Sequence, residues 1–442
     1  MPQFLKVALR FFALSAIVVG AVAIYLWRRA RLRRPTASRR EKLRGAVLAE
    51  TLQRSGAAFI KLGQILSTRP DLLGPGYIEH LQKLQDQVPP APFEAVRGLV
   101  ERELAAEHRA RLAEIEPTPV AAASVAQVHR ARLVSGEELA LKLQRPGVEA
   151  LIERDLALMG LFARMLNLIP TVRLLDIPGA IREFGVALRG QLDFLREAEN
   201  NRRFAENFRD VPHVRVPRLF EPLCTPRVLA MEFVEGVRAT EPHRVGGDPK
   251  VLARRGSEAI LKMVFLDGFV HADLHPGNIV LTASDEVVLI DLGMVAEIPQ
   301  DMLRPWIETF AALAQQDGRK AARMLYGYSP SVRIPDYAAY EREVESYFER
   351  FYGLTVGQVE ISTAVGGVLA LLRRHRIKVD PVFTVVNIAL LVAEGLGKQL
   401  DPDLDMTTLA LPFLGQAIAS APPGRPPYRR PPASAEVTED VV

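Results

Sequence analysis

The stretch that most limits how this chain can fold is the octapeptide His271-Ala272-Asp273-Leu274-His275-Pro276-Gly277-Asn278, with Asp291-Leu292-Gly293 beginning thirteen residues after Asn278. Between them, Ile279-Val280-Leu281, the polar pair Asp285-Glu286 and Val287-Val288-Leu289-Ile290 read as two short β-strands joined by a turn. Such a hairpin puts Asn278 and Asp291 at neighbouring strand ends, where two oxygen ligands can share one cation. Phosphoryl transfer asks for a carboxylate beside the nucleophile and an oxygen cage holding magnesium on the phosphates. Asp273 suits the first task, and Asn278 with Asp291 the second. An isolated Asp-Leu-Gly carries no information; the ordered set does.

The N-terminus sets the location. Phe11 to Trp27 is seventeen residues without a charge, a helix of roughly 25 Å, long enough to cross a bilayer at the short end of the range. Nine Lys or Arg and one acid, Glu41, follow between Arg28 and Arg44, a cluster expected on the cytoplasmic side. A cleaved signal peptide fits poorly, since no small-x-small site precedes the arginines; a mitochondrial targeting segment remains open for a eukaryotic source. The expectation is a single-pass anchor with the catalytic domain cytoplasmic, or in the mitochondrial inner membrane if eukaryotic. Apart from that basic run the chain is close to neutral, so its net charge of +4 is no sign of nucleic-acid binding. One cysteine, Cys224, excludes an internal disulfide framework.

From Glu41 to about Glu116 apolar residues recur at helical spacing, as in Leu48, Leu52, Phe59, Ile60 and Leu66. Lys61 and Gln64 lie three apart on one face of that pattern and by themselves read as an exposed polar pair. Strand-like composition begins at Pro119. Val120–Ala126 leads into Gln127–Leu133, a turn at Ser135-Gly136, and Glu138–Gln144. Lys142 sits there among alternating apolar residues, so its ammonium must snorkel to water or find an anion. Ile177 to Arg209 reads as one long helix, in which Glu197 could pair with Lys142. Val228–Gly236, containing Glu232 and Val234, reads as a strand running into a glycine break, a hinge whose backbone could bind adenine.

Taken in order, Lys61-x-Gly63-Gln64, the Ala121-Ala122-Ala123-Ser124 loop, Lys142, Asp193 with Glu197, the His271–Asn278 loop and Asp291 resemble the UbiB (AarF/ADCK) family of atypical kinases over roughly residues 45 to 410. The resemblance implies an α+β, two-lobed protein-kinase-like fold with an N-terminal helical extension over the active site. Its boundaries here would be an anchor at 1–27, a basic juxtamembrane linker at 28–44, the extension at 45–116, an N-lobe at 117–236 and a C-lobe at 237–416. A proline-rich tail, 417–442, is expected to be disordered. The resemblance further implies ATP and Mg²⁺ as cofactors, and a role in ubiquinone or other prenyl-lipid metabolism. The partners would be membrane lipid, quinone or isoprenoid precursors, and quinone-biosynthesis proteins. It implies that Lys61 and Gln64 reach into the site, against the exposed-pair reading. It also implies that an alanine-rich loop replaces the glycine-rich one over the phosphates, where alanine resists the positive φ that glycine adopts freely.

Two positions depart from the family pattern. Gln191 stands in Gln191-Leu192-Asp193 where Glu-x-Asp is usual, so Gln191 and Asp193 offer the gating lysine only one charge. Leu292 replaces a commoner phenylalanine. After Asp291 the chain runs through Met294–Pro299 into a helix expected from Asp301, with no long activation segment and no Ala-Pro-Glu. Two other readings stay open. One is a small-molecule phosphotransferase of the aminoglycoside or choline kinase kind, which shares the opening loop. The other is a non-catalytic, nucleotide-gated scaffold of a lipid-synthesis complex.

Overall fold

The computed structural model describes residues 3–32, 36–67, 73–84, 89–169, 177–332, 334, 336–351, 360–378 and 380–431. They divide into two compact units, the first Met1–Ala205, Val216–Val234 and Asp291–Gly293, the second Glu206–Arg215, Glu235–Ile290 and Met294–Val442.

The first unit opens with helices. α1 (Gln3–Arg31) runs longer than the apolar core that marks it in sequence, and Leu5–Arg31 is long and apolar enough to cross a membrane. One side of α1 lies along α2 (Ala37–Ser55), with Arg28 paired to Glu50 and Arg44 donating to the Tyr25 hydroxyl. Phe12, Val19, Leu26 and Trp27 on α1 stay exposed. α3 (Ala57–Ser67) and α4 (Pro75–Leu81) pack on α2. Two glycines permit this close packing. A Cβ on Gly45 would sit 2.2 Å from the Gly76 carbonyl oxygen, and one on Gly63 would sit 2.3 Å from a Leu84 methyl. α5 (Phe93–Glu103) and the short α6 (Ala106–Arg109) complete the helical run.

The helical pattern expected to continue to about Glu116 ends sooner. Leu112–Ile115 is a strand, β1, paired antiparallel with β3. Four residues between polar neighbours are too few for a two-residue period to stand out. The sheet then comprises β2 (Ala121–Ala122), β3 (Ala126–Leu133), β4 (Glu138–Gln144) and β6 (Val228–Glu232), in the order β1-β3-β4-β6 with β2 on β3. Side-chain alternation sorts its two faces. Leu139, Leu141 and Leu143 pack with Val96, Leu99 and Val100 of α5, while Ala140 and Met231 face α7 (Val148–Leu166) and the helix Ile177–Gly190. Asp155 of α7, with no exposed side-chain area, accepts two hydrogen bonds from Arg10 of α1, and Phe11 stacks on Phe162 beside it.

The second unit holds a small sheet. β5 (Val214–Arg215) pairs parallel with β10 (Val287–Leu289), which pairs with β9 (Ile279–Leu281), and β9 with β7 (Val237–Arg238). β8 (Phe269–His271) pairs with β11 (Val295–Glu297). Helices Gln300–Ala314, Gly318–Gly327, Tyr337–Glu349, Ile361–Arg374 and Pro381–Leu400 follow, with Tyr340, Val344, Phe348 and Leu372 in one of their cores. The expectation of a disordered tail from 417 is corrected. Residues to Ser420 belong to the helix Met406–Ser420, and the proline-rich run to Pro431 is laid on the helix Gln300–Ala314. Arg304 donates to the carbonyls of Ala421 and Pro422, and the Arg425 amide donates to Asp301. A proline-rich chain lacks N–H donors, yet its carbonyls still accept from arginines. Residues 432–442 lie outside the described residues.

Candidate functional site

Lys142 occupies the Ala140 face of β4, turned toward the helix Phe194–Asn207. Its ammonium donates to both carboxylate oxygens of Glu197, at 2.7 and 2.8 Å, and to Oδ1 of Asp291 at 3.2 Å. The Lys142 and Glu197 side chains are only 12% and 5% exposed, whereas Asp291 is 45% exposed. Burial alone would pull the Lys142 ammonium down, but Asp291 and Glu197 together outweigh it and hold it above the usual lysine range. Burial pushes the Glu197 carboxyl up, with Lys142 opposing that push. The result is a fixed cation between two carboxylates, one sealed and one open.

The single long helix expected over Ile177–Arg209 is two helices, Ile177–Gly190 and Phe194–Asn207. Gln191 and Asp193 therefore stand in the break and not on a helix face. Asp193 accepts the Leu195 amide, so it caps the helix that carries Glu197. Gln144 at the end of β4 donates to the Leu192 carbonyl and ties the break to the sheet. Asn200, one turn beyond Glu197, donates to the Leu292 carbonyl, and the Gly293 amide donates to Asp291 Oδ1. A Cβ on Gly293 would lie 3.3 Å from both Asp291 Oδ1 and Glu197 Oε2, which explains a glycine after Asp-Leu. Sequence reading missed Asn200, although its three-residue offset from Glu197 shares a helical face.

The Ala121–Ser124 segment is half strand. Ala121 and Ala122 pair with Val128 and Gln127, and the Ala123 amide donates to Ala126 in a tight turn. None of these four residues has positive φ, so the backbone avoids the conformation that alanine resists. Arg145 clamps the turn by donating to the Ala123 carbonyl. Glu232 ends β6, its carboxylate accepting the Arg218 amide; Val234 follows in irregular, partly buried chain.

Lys61 and Gln64 lie on α3, which packs against α7 and the helix Ile177–Gly190. The exposed-pair reading fails because Lys61 is 8% exposed. Among the described residues, the buried Gln64 Oε1 has no hydrogen-bond partner. Helical periodicity fixes which residues share a face but not what covers it.

In the second unit, β8 delivers the His271–Asn278 loop. His271 is buried, and its Nδ1 accepts the Asp273 amide, bending the chain so that Asp273 stays partly exposed. Asn278 is buried, its Nδ2 donating to the Asp273 carbonyl. Because a carbonyl can only accept, that bond assigns the amide and leaves Oδ1 as a separate acceptor. The Ile290 amide donates to the Asn278 carbonyl, so the hairpin strands close immediately before Asp291.

A sheet lysine ion-paired to a helix-borne glutamate, with a His-x-Asp loop on a separate unit, defines a protein-kinase-like protein. Residues 83–325 match the ABC1 atypical kinase-like domain, and residues 344–405 match the UbiB helical domain. The chain belongs to this ABC1/UbiB family of atypical kinase-like proteins. It is 37% identical over 390 residues to the "Probable protein kinase UbiB" of Azotobacter vinelandii, covering 85% of this chain and 72% of the relative. The protein of the same name from Marinobacter nauticus is 35% identical over 392 residues, covering 86% of this chain and 70% of the relative. Among solved structures, Rv3197 of Mycobacterium tuberculosis in complex with erythromycin aligns with a TM-score of 0.54 at 24% identity, over 82% of this chain and 91% of that one, a likeness of fold.

Proposed function

We propose that the chain is a membrane-held, ATP- and Mg²⁺-dependent atypical kinase or ATPase that supports ubiquinone or other prenyl-lipid metabolism. The observation that carries this is the Lys142–Glu197–Asp291 cluster, a buried lysine held charged beside a half-exposed carboxylate. A lysine so placed suits the α- and β-phosphates of a nucleotide, with Glu197 as its positioning partner. The Ala121–Ser124 turn would lie over the phosphates, and the backbone at Glu232 and Val234 would meet adenine. Asp291 and the Asn278 amide oxygen are the residues that would hold Mg²⁺. Among the described residues no cluster of three or more His, Cys, Asp or Glu forms a metal site, and this fits an ion that takes few protein carboxylates and completes its shell with phosphates and water. Bound there, Mg²⁺ would supply charge neutralisation of the phosphates. Asp273 would orient water or an acceptor hydroxyl. Lys61 and Gln64, with Gln191 and Asp193, would gate nucleotide entry, and the unpartnered Gln64 Oε1 supports a contact completed by a ligand.

Between Asp291 and the helix starting at Gln300 there is only β11, too little chain for a protein-substrate platform, which favours hydrolysis or a small acceptor. The length and apolarity of α1 support attachment to a membrane, and the basic run Arg28–Arg44 would keep the catalytic part on the cytoplasmic side. Quinone or isoprenoid precursors and quinone-pathway proteins are the proposed partners. The test is Mg²⁺-ATPase activity of wild type against Asp291→Asn, with and without anionic vesicles and a prenylated quinone precursor. Turnover should fall at least ~10²-fold in the variant, since metal-held charge stabilisation dominates such reactions. A smaller fall means the metal ligand is misassigned. Phosphorylation of hydroxylated small molecules faster than ATP hydrolysis would replace this reading with a small-molecule phosphotransferase. Full cellular function after loss of turnover would replace it with a scaffold.

A further inference from the structure

Within the second unit, the helices Gln300–Ala314, Gly318–Gly327, Ile361–Arg374 and Pro381–Leu400 line a partly open cavity of about 50 Å³. Its wall is almost wholly apolar, with Trp306, Phe310, Leu325, Val368 and Leu372 facing it. Thr309, Ser329, Lys378, Asp380 and Asn387 also line it; the Thr309 and Ser329 hydroxyls donate to the carbonyls of Pro305 and Lys378. Asn387 differs from those two. The residue is 6% exposed, and among the described residues its Oδ1 has no hydrogen-bond partner. Leaving a buried amide oxygen unsatisfied costs free energy, and an apolar side chain of the same size would remove the cost. An orphan acceptor on a residue in the wall of a largely apolar cavity is an arrangement that can orient a ligand.

The proline-rich segment covers the same place. Arg425 Nε donates to the Met302 sulfur, the Tyr328 hydroxyl donates to the Arg425 carbonyl, and Gly424 lies against Pro305. Met302, Tyr328 and Pro305 all line the cavity. The segment is held by side chains through its carbonyls and by few backbone bonds, so it can lift without unfolding a helix. The present volume admits a chain end or a few waters; a ring or a longer chain needs more room, which lifting the segment off Met302, Pro305 and Tyr328 would supply.

The geometry points to a binding site for an apolar molecule carrying one hydrogen-bond donor, received by Asn387 and covered by the Ala421–Pro431 strap. Neither the kinase-like site nor its chemistry contributes a residue to it. The choice of a prenyl alcohol as the probe rests on the function proposed above; the existence of the site does not.

The full-length chain has two tryptophans, Trp27 and Trp306, so Trp27→Phe leaves a single fluorophore in the cavity wall. In that background geraniol should shift Trp306 emission saturably. The deoxygenated hydrocarbon of the same skeleton should bind roughly five-fold more weakly, the value of one hydrogen bond. Asn387→Leu should abolish that difference and raise the thermal midpoint, which a merely structural, satisfied amide would not do. Val368→Phe, or the milder Val368→Ile if the first fails to fold, should weaken binding of both compounds. Ending the chain at Ser420 should speed association. If Trp306 emission does not respond, or the response is the same in the filled variants, the proposal is overturned. If 1-decanol binds as tightly as geraniol, the site stands and the prenyl-lipid assignment loses its support.

Discussion

Replacing Lys142 with methionine removes the cation from a cluster whose two carboxylates would then face each other. Glu197, 5% exposed, has no other cation to turn to in that cluster. Removing one partner of a buried ion pair costs about 3–5 kcal/mol. Its recovery with acid fixes the mechanism. Burial already pushes the Glu197 carboxyl up, and Lys142 is what opposes the push. In the variant the folded-state value rises further above the unfolded value of about 4.3. A group raised on folding contributes stability below its unfolded value and loses it as pH climbs through the folded one. Lys142→Met should therefore be most damaging near pH 8 and regain about 1.4 kcal/mol per unit as pH falls toward 5. Lys142→Met/Glu197→Leu, with no buried charge left, should recover most of the loss and show no such slope. Native-state hydrogen exchange at Leu139, Leu141 and Leu143 of β4 reads this without assuming that both units unfold together. Protection there should fall roughly 10²–10⁴-fold at pH 8 in the single variant. Unchanged protection, or equal loss at both pH values, would refute the argument that Glu197 depends on Lys142 for its charge.

Three further outcomes follow from other elements. Arg10→Met leaves Asp155 without its cation beneath α1 and should release that helix, seen as protease cleavage within residues 3–31, with Arg10→Met/Asp155→Leu restoring resistance. Gly45→Ala drives a methyl onto the backbone at Gly76 and Tyr77, and should cost about 1–3 kcal/mol, toward the upper end, in thermal or urea unfolding. His129 is buried, donates from Nδ1 to the Glu116 carbonyl and accepts from Gln127, and burial holds its imidazole below the usual histidine range. The unfolded chain takes up a proton that the folded one refuses, so stability present above about pH 6.5 should fall below it by at most ~1.4 kcal/mol per unit, and His129→Gln should flatten that slope in β3 exchange rates.

What could be read from the chain was local or alternating. The period-two pattern of Glu138–Gln144 put Lys142 on the face opposite the leucines, but left open whether that face met water or an anion. The hairpin between Asn278 and Asp291 followed from its turn residues and from the β-branched runs on either side. What escaped was set by distant packing. Lys61 looks solvent-facing until α7 and the helix Ile177–Gly190 are laid over α3. Gln191–Asp193 looked helical because apolar spacing persists on both sides, although Gly190 before an Asp in capping position is a stop-and-start signal. The strand Leu112–Ile115 is recognisable only once β3 is there to pair with it. The proline-rich run, disordered by composition, is held by Arg304, more than a hundred positions away in sequence, which donates to the carbonyls of Ala421 and Pro422.

The bond between Arg10 and Asp155 also sets an order of events during synthesis. The two residues are 145 positions apart, so at ribosomal rates of about 5–20 residues per second α1 waits roughly 7–30 s for its partner to be made. Throughout that interval only α2 can cover part of α1, and Phe12, Val19, Leu26 and Trp27 stay exposed even in the finished fold. A nascent chain in that state presents those side chains to whatever apolar phase is nearest before α7 exists. The Arg10–Asp155 bond is therefore a late contact, formed only after α1 has met its surroundings.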